Sequence, residues 1–356
     1  MNRAVIKLVV AVASFSLLGW GSVAAAPPGE ITINTKSRDA VIESYQQFLE
    51  PLLTVPVGWT GNVENCKQGT TSRENQQSTL KAVNYVRSLA GLPGVTLDAK
   101  KSKKSQAAAL IMAANGYLTH YPSKDARCYT QAGYDGASHG NLFLGWDSRA
   151  DEPGYLSPAT GARAVVGYME DSGSNNLLVG HRRWIMYQEL KTIGSGDTDS
   201  SNSLYVVGSD SRSSSKKWVS WPTAGYFPLE LEPLGRWSLS YPNADFSRAK
   251  VRVTTPSGPI KTKKTPVEKG MGDNTLSWDM TLPGDYAPSS DQSGEWVWED
   301  SEEVGAAPTQ LPDLPVTVTV SGIRVGGKAV TKKWTTTLVQ AAQVTPVNVE
   351  VAAPQE

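Results

Sequence analysis

Residues 175–187 read NNLLVGHRRWIMY, and residues 113–122 read AANGYLTHYP. The first run carries His181 and the second His120; the chain holds only three histidines, the other being His139. Imidazole is the side chain best suited to proton transfer near neutrality and to holding transition metals. A site that uses it must therefore draw on these three, and the two quoted runs are where the reading begins.

Working outward, the flanking segments alternate between helical and extended patterns. From Ser37 to Leu53 the apolar residues Val41, Ile42, Tyr45, Phe48, Leu49 and Leu52 recur at helical spacing, with Ser37 as the cap. In TSRENQQSTLKAVNYVRSLAGLPGV, residues 71–95, Thr71 and Glu74 have the spacing of a capping box, and Gly91 with Pro93 ends the helix. A third helix is expected after Asp98 as far as Gly116, and a fourth over about 159–171. LKTIGSG and NSLYVVGS read as two strands around the polar turn DTDSSN.

The whole chain sets further bounds. It has 356 residues, enough for two domains that each bury a core. Its 34 basic and 34 acidic residues leave no global field that would favour nucleic acid or an anionic membrane. Residues 1–26 read as a signal peptide: Arg3 and Lys7, an apolar run from Leu8 to Trp20, then the small residues of SVAAA. That run is shorter than the ~20 residues a membrane span needs, so a secreted, extracellular protein without a transmembrane segment is expected. The only cysteines are Cys66 and Cys128. In an oxidising compartment they are expected to form one disulfide, the alternative being two free structural thiols.

Beyond a polar linker at 209–217 the pattern changes. RWSLSYP, KVRVTTP, NTLSWDM, EWVWED, LPVTVTVSGI and KKWTTTLV alternate apolar and polar residues, as in an all-β, immunoglobulin-like sandwich over 218–345, followed by a tail at 346–356. Trp296 and Trp298 sit at strand spacing, which suits a sandwich core better than a carbohydrate-stacking face.

The first domain, over 71–208 after an N-terminal extension at 27–70, resembles the CAP superfamily (cysteine-rich secretory, antigen 5 and pathogenesis-related proteins) in its bacterial secreted form. The order of pieces carries the resemblance: LKAVNYVRSLAGLPGVTLD, SQAAALIMAANGYLTHYP, HGNLFLG, AVVGYMED and GHRRWIM, then the closing strands. It implies an α+β fold, an α-β-α sandwich around a central antiparallel sheet. It also implies a cleft with two histidines and two acidic residues. His120 and His181 match the histidines and Asp171 matches the second acid. Where a Gly-Glu-Asn motif is common, this chain has His139, Gly140 and Asn141, so the first acid is lost. The ligand cleft is thus expected at His120, His181, Asp171 and Asn141. A zinc site would need His139 as a third ligand beside His120 and His181, with Glu170 or Asp171 as the base that activates water.

Other signals compete. GASHG, residues 136–140, fits the G-x-S-x-G elbow, with Ser138, Asp171 and His181 in hydrolase order, but the elbow needs a strand before the serine and a helix after it; the glycines read as loop hinges. Lys100, Lys101, Lys103 and Lys104 read as a solvated face. Arg182 and Arg183 suit either anion capture or ion pairs, and Trp146, Trp184 and Tyr168 either line a cleft or pack the core. Two functions follow: binding of an extracellular lipid, glycan or cell-wall component in the histidine-lined cleft, with the sandwich as spacer or adhesion module, or zinc-dependent extracellular hydrolysis at the same histidines.

Overall fold

The computed structural model describes residues 31–145, 156–208, 212–213, 216–286 and 311–343. The signal segment, Trp146, Trp296, Trp298 and the tail lie outside the described residues.

Local sequence explains where each helix begins. Ser37 caps α1 (Arg38–Phe48), its hydroxyl accepting from the Ala40 N–H at 3.3 Å. The cap of α2 (Arg73–Leu89) is Ser72, one residue later than the Thr71 capping box implied: Ser72 Oγ accepts from the Asn75 N–H at 3.0 Å. Thr71 is instead engaged by the Gln76 side chain at 3.3 Å. After β1 (Thr96–Leu97), Asp98 caps α3 (Ala99–Asn115), which ends on left-handed Gly116.

Gln131–Ser138 form α4, a helix that CYTQAGYDGASHG hides behind its polar, glycine-rich composition. Its glycines are contact points rather than hinges. A Cβ at Gly136 would lie 2.2 Å from the Lys104 carbonyl oxygen, and one at Gly133 would lie 2.5 Å from Ile111 Cδ1. Only hydrogen at Gly136 lets α4 lie this close to the α3 backbone, while Gly133 spares the Ile111 side chain a shift.

The remaining elements of this half are β2 (Gly140–Leu144), α5 (Gly161–Glu170), α6 (Gly180–Ile185), β3 (Thr192–Asp197) and β4 (Ser201–Tyr205). The sheet runs β1-β3-β4-β2, with β1 parallel to β3 and the other pairs antiparallel. Strand alternation places Leu142 with Ala108, Ile111 and Ala137 under α3 and α4, while Ile193 and Leu204 join Val83, Val86 and Val165 on the α2–α5 side. The sheet is thus the middle layer of three. Gly194 and Gly196 let α3 approach β3 closely; a Cβ at Gly196 would be 2.1 Å from the Gln106 nitrogen.

The second half is an all-β sandwich. Val219–Trp221 (β5), Gly225–Pro228 (β6), Arg236–Ser240 (β7), Lys250–Thr255 (β8), Gly258–Ile260 (β9), Thr262–Lys264 (β10), Thr275–Met280 (β11), Leu314–Val325 (β12) and Lys328–Val339 (β13) form two sheets. One is ordered β10-β11-β7-β5 and the other β6-β13-β12-β8-β9. Val316, Val318 and Val320 point inward between threonines, the period-two pattern of a half-buried strand. Trp237 and Trp278 pair across β7 and β11, and with Trp221 they rank among the largest fully buried side chains.

The two halves share one apolar core, which runs from Val86 and Val165 through Ile185 and Met186 to Trp221, Trp237 and Val318. The N-terminal helix joins both. Ser44 meets the Tyr85 hydroxyl at 3.2 Å on the α2 side, while Arg38 holds the Asp313 carboxylate through Nε at 2.8 Å and Nη2 at 3.0 Å. The Gln46 amide donates to the Ala341 carbonyl at 2.9 Å. Among the described residues no helix is long and apolar enough to cross a membrane.

Cys66 and Cys128 form a disulfide across a separation of 62 residues. It ties the segment before α2 to the loop between α3 and α4. Closing a loop of that length is worth about 4 kcal/mol through the unfolded chain. Replacing both cysteines by serine is expected to lower unfolding stability by about that amount in urea denaturation, and reductant is expected to have the same effect on the wild type but none on the variant.

Candidate functional site

Asp171 is the C-cap of α5, in the left-handed region at φ 54° and ψ 43°. That turn sends the chain back toward α6, whose first turn carries His181. His181 Nδ1 lies 2.8 Å from Asp171 Oδ1, and the backbone N–H of Arg182 donates to Asp171 Oδ2 at 3.1 Å. A carboxylate only accepts, so Nδ1 carries a proton, and in the neutral ring Nε2 is the nitrogen with the lone pair. The Asp171 side chain is fully buried, whereas that of His181 is 23% exposed. From β2, the Asn141 amide donates to the His181 carbonyl at 3.0 Å.

Behind the imidazole lies a buried polar network. The Tyr168 ring sits 5.2 Å from the His181 ring, and its hydroxyl donates to Asn202 Oδ1 at 2.8 Å. The Asn202 amide donates in turn to Asp197 Oδ1 at 2.7 Å. Asp197 also accepts from the Gly161 N–H at 2.9 Å and from the Asn75 amide at 2.9 Å. It therefore caps α5 from β3, a task that Thr160 does not perform with its own side chain. Burial raises the Asp197 carboxyl above the usual carboxylate range, against the pull of those donors. Burial likewise raises Glu170, with the Ser172 hydrogen bond opposing. The Glu170 carbonyl, for its part, accepts from Arg182 Nη2 at 2.7 Å.

The other two histidines are held elsewhere. His120 Nδ1 donates to the Ala137 carbonyl at 2.9 Å. His139 caps the end of α4, with Nδ1 2.9 Å from the Asp135 carbonyl and the ring stacked on Tyr205 at 5.2 Å. Among the described residues no hydrogen bond or ring contact joins His120 to His181. Nor, among them, do three His, Cys, Asp or Glu side chains gather as a metal-binding group.

Among the described residues the three histidines are thus not brought together as a zinc set. His120 and His139 are fastened to the last turns of α4, while His181 is fastened to Asp171 at the end of α5. The lost acid leaves no gap either. A Cβ at Gly140 would meet the Gly136 carbonyl oxygen at 2.7 Å and Ser203 Oγ at 2.9 Å, so α4 and β4 close over that position. The donor set does not fit a zinc ion, which takes at least three protein ligands.

The serine elbow fails on topology. Ser138 ends a helix and precedes a strand, the reverse of the required order, and its hydroxyl contacts His139 Nδ1 at 2.9 Å and the Asp135 carbonyl at 3.3 Å. Of the proposed Ser138–Asp171–His181 set, only the acid and the imidazole meet. Lys104 pairs with Asp135 at 3.2 Å, and Lys101 donates to Thr192 Oγ1 at 2.8 Å, so this run is only partly a free solvated face.

Among the described residues, the arginines after His181 bond mainly to backbone carbonyls rather than to carboxylates. Arg182 is 2% exposed; its Nε donates to the Met169 carbonyl at 2.7 Å, and Nη1 reaches the Arg236 carbonyl at 2.8 Å and Ser238 Oγ at 3.1 Å. Arg183 Nη2 donates to the Glu268 carbonyl at 3.0 Å. Both side chains cross into the β-sandwich. Tyr168 is fully buried behind His181, and Trp184 packs partly buried against Tyr187 at 5.9 Å. A separate cavity of about 290 Å³ lies between Ile31–Ile33, Asn84, Ser88 and the Gly91–Gly94 turn.

This three-layer arrangement, with its histidine turn after α5, agrees with the α-β-α sandwich that the resemblance implies. Residues 80–209 match the family model described as cysteine-rich secretory protein family, CAP, and that part of the chain is similar to this family. No curated protein matches the chain.

Glu232, on the sandwich side of Arg182, accepts from Trp237 Nε1–H at 2.5 Å and from the Gly235 N–H at 3.0 Å. Burial raises its carboxyl from the ordinary value of 4.5 to about 7, with the Trp237 and Gly235 hydrogen bonds and Arg182 opposing. Between those values the folded protein keeps a proton that the unfolded chain releases, so this group's contribution to stability is present below the lower value. It is lost as pH rises through the window, by about 3 kcal/mol in all. Glu232→Gln keeps an acceptor but cannot titrate. Stability measured by chemical denaturation in steps across this range is expected to fall less steeply with pH in the variant; parallel curves would contradict the assignment.

Proposed function

We propose that the protein is an extracellular binding protein whose CAP domain receives a lipid, glycan or cell-wall ligand at the face presented by His181. A CAP domain, a disulfide and the absence of a membrane-spanning helix among the described residues all fit export. The signal peptide at 1–26 and a domain boundary within 209–217 belong to the same proposal, and His120 is the second candidate contact.

One observation carries this reading. The buried Asp171 carboxylate fixes the imidazole at Nδ1. Nε2 is left as a preorganised acceptor, and a ligand hydroxyl or amide that meets it pays no cost for ordering the ring. The same pair favours a second reading, in which His181 acts as a general base in hydrolysis, since a carboxylate behind an imidazole supports the imidazolium that forms on proton uptake. In that reading no zinc is required.

Native mass spectrometry of the purified full chain, followed by titration with whatever co-purifies, tests the first reading. His181→Ala is expected to weaken that ligand about tenfold, the equivalent of about 1.4 kcal/mol for one good hydrogen bond. Unchanged affinity would remove His181 from the site. Chelator-resistant turnover of esters or wall peptides, abolished in the same variant, would instead select hydrolysis.

A further inference from the structure

We infer that the β-sandwich is a positioning element for the His181–Asp171 pair, and that Arg236 is the residue through which it acts. The inference rests on His181 and Asp171 being the working part of the CAP domain, as proposed above. It adds an element that lies outside the family match.

The geometry runs through Asp171 itself. Its two carboxylate oxygens are taken by His181 Nδ1 and the Arg182 N–H, and its own N–H donates to the Gly167 carbonyl at 3.0 Å. Its carbonyl is the remaining polar group, and Arg236 Nη1 fills it at 3.1 Å, with the same nitrogen reaching the Gly173 carbonyl at 2.6 Å. Asp171 is left-handed at φ 54° and Gly173 lies at φ 85°. A side chain rarely settles in the left-handed region unless its surroundings hold it there. Here the holding group comes from the first residue of β7.

The guanidinium that does this is itself oriented. Arg236 Nε donates to Asp279 Oδ1 at 2.7 Å, and the two residues face each other in register across β7 and β11. The contact is reciprocal, because Arg182 Nη1 returns to the Arg236 carbonyl at 2.8 Å. Further along the same segment, Ser277 Oγ donates to the Leu177 carbonyl at 3.2 Å. The loop from Asp171 to His181 is thus pinned to the sandwich at its start and again midway. With Arg236 removed, the Asp171 carbonyl is free to turn, and the carboxylate that selects the imidazole tautomer turns with it.

The test reads the tautomer of His181 in the full chain and needs no ligand. Long-range proton–nitrogen correlation spectra of labelled protein at about pH 8, above the ordinary imidazole range, distinguish Nδ1–H from Nε2–H rings, and three His→Gln variants assign the three signals. The wild type is expected to show His181 as a single Nδ1–H tautomer. In Arg236→Ala that signature is expected to give way to an averaged mixture of tautomers, with His120 and His139 unchanged. Lys263→Ala, on an exposed strand of the same sheet, is expected to leave all three rings as in the wild type.

If Arg236→Ala does not fold, Asp279→Asn carries the test, since it keeps the guanidinium but loosens its anchor. A folded Arg236→Ala or Asp279→Asn variant that retains the pure Nδ1–H tautomer overturns the inference. A wild type without that tautomer would refute the Asp171–His181 pairing itself, which is a different failure.

Discussion

The guanidinium of Arg182 is the group around which this structure is arranged. A cation removed from water is costly unless its donors are all met. Four hydrogen bonds meet four of its five N–H donors, two to α5 carbonyls and two to β7. Burial lowers its pKa to about 10, while Asp171 and Glu232 work to keep it charged. The charge therefore persists at neutral pH, and it is satisfied only when α5, α6 and β7 are all in place. No one of these elements can shift without exposing an unpaired polar group in an apolar core.

Much of the fold is legible from residue pattern. The periodicities of 37–53, 71–95 and 98–116 lead to α1, α2 and α3, because amphipathic helices with Ser or Asp caps and Gly stops need no tertiary information. The alternation in LPVTVTVSGI and KKWTTTLV likewise leads to β12 and β13, the long central hairpin of the sandwich. What stays hidden is set by contact. The helix α4 forms because Gly133 and Gly136 let it press on α3, and glycine in isolation reads as a turn. The shift of a cap from Thr71 to Ser72 is a local choice between adjacent hydroxyls that spacing does not resolve.

The site divides in the same way. Asp171 with His181, and Asn141 beside them, follow from the resemblance in order of motifs, and they do lie together. The support does not follow. Asn202 and Asp197 sit in a polar, glycine-rich stretch that reads as loop and strand edge, yet both are buried and join Tyr168 to the cap of α5. Arg236 and Asp279 lie outside the family match, so no motif points to them. His139 shows the converse, a position that spacing does not resolve. Its place next to the lost acid suggests a ligand, but α4 turns its ring onto Tyr205 instead.

The consequence concerns what the second domain is for. A spacer or detachable adhesion module would meet its neighbour through a modest, mostly polar surface, the usual character of interdomain contacts. Here a single apolar core spans both halves, two arginines from one short helix are buried in the sandwich, and α1 holds the far side through Arg38 and Asp313. His181 and Arg182 are consecutive residues on α6, so on a helix their side chains diverge by about a quarter of a turn or slightly more. One faces the partly exposed surface and the other the interface. A turn built that way cannot set the orientation of the imidazole independently of the sandwich, because the residue that anchors it to the second domain is the next one in the chain.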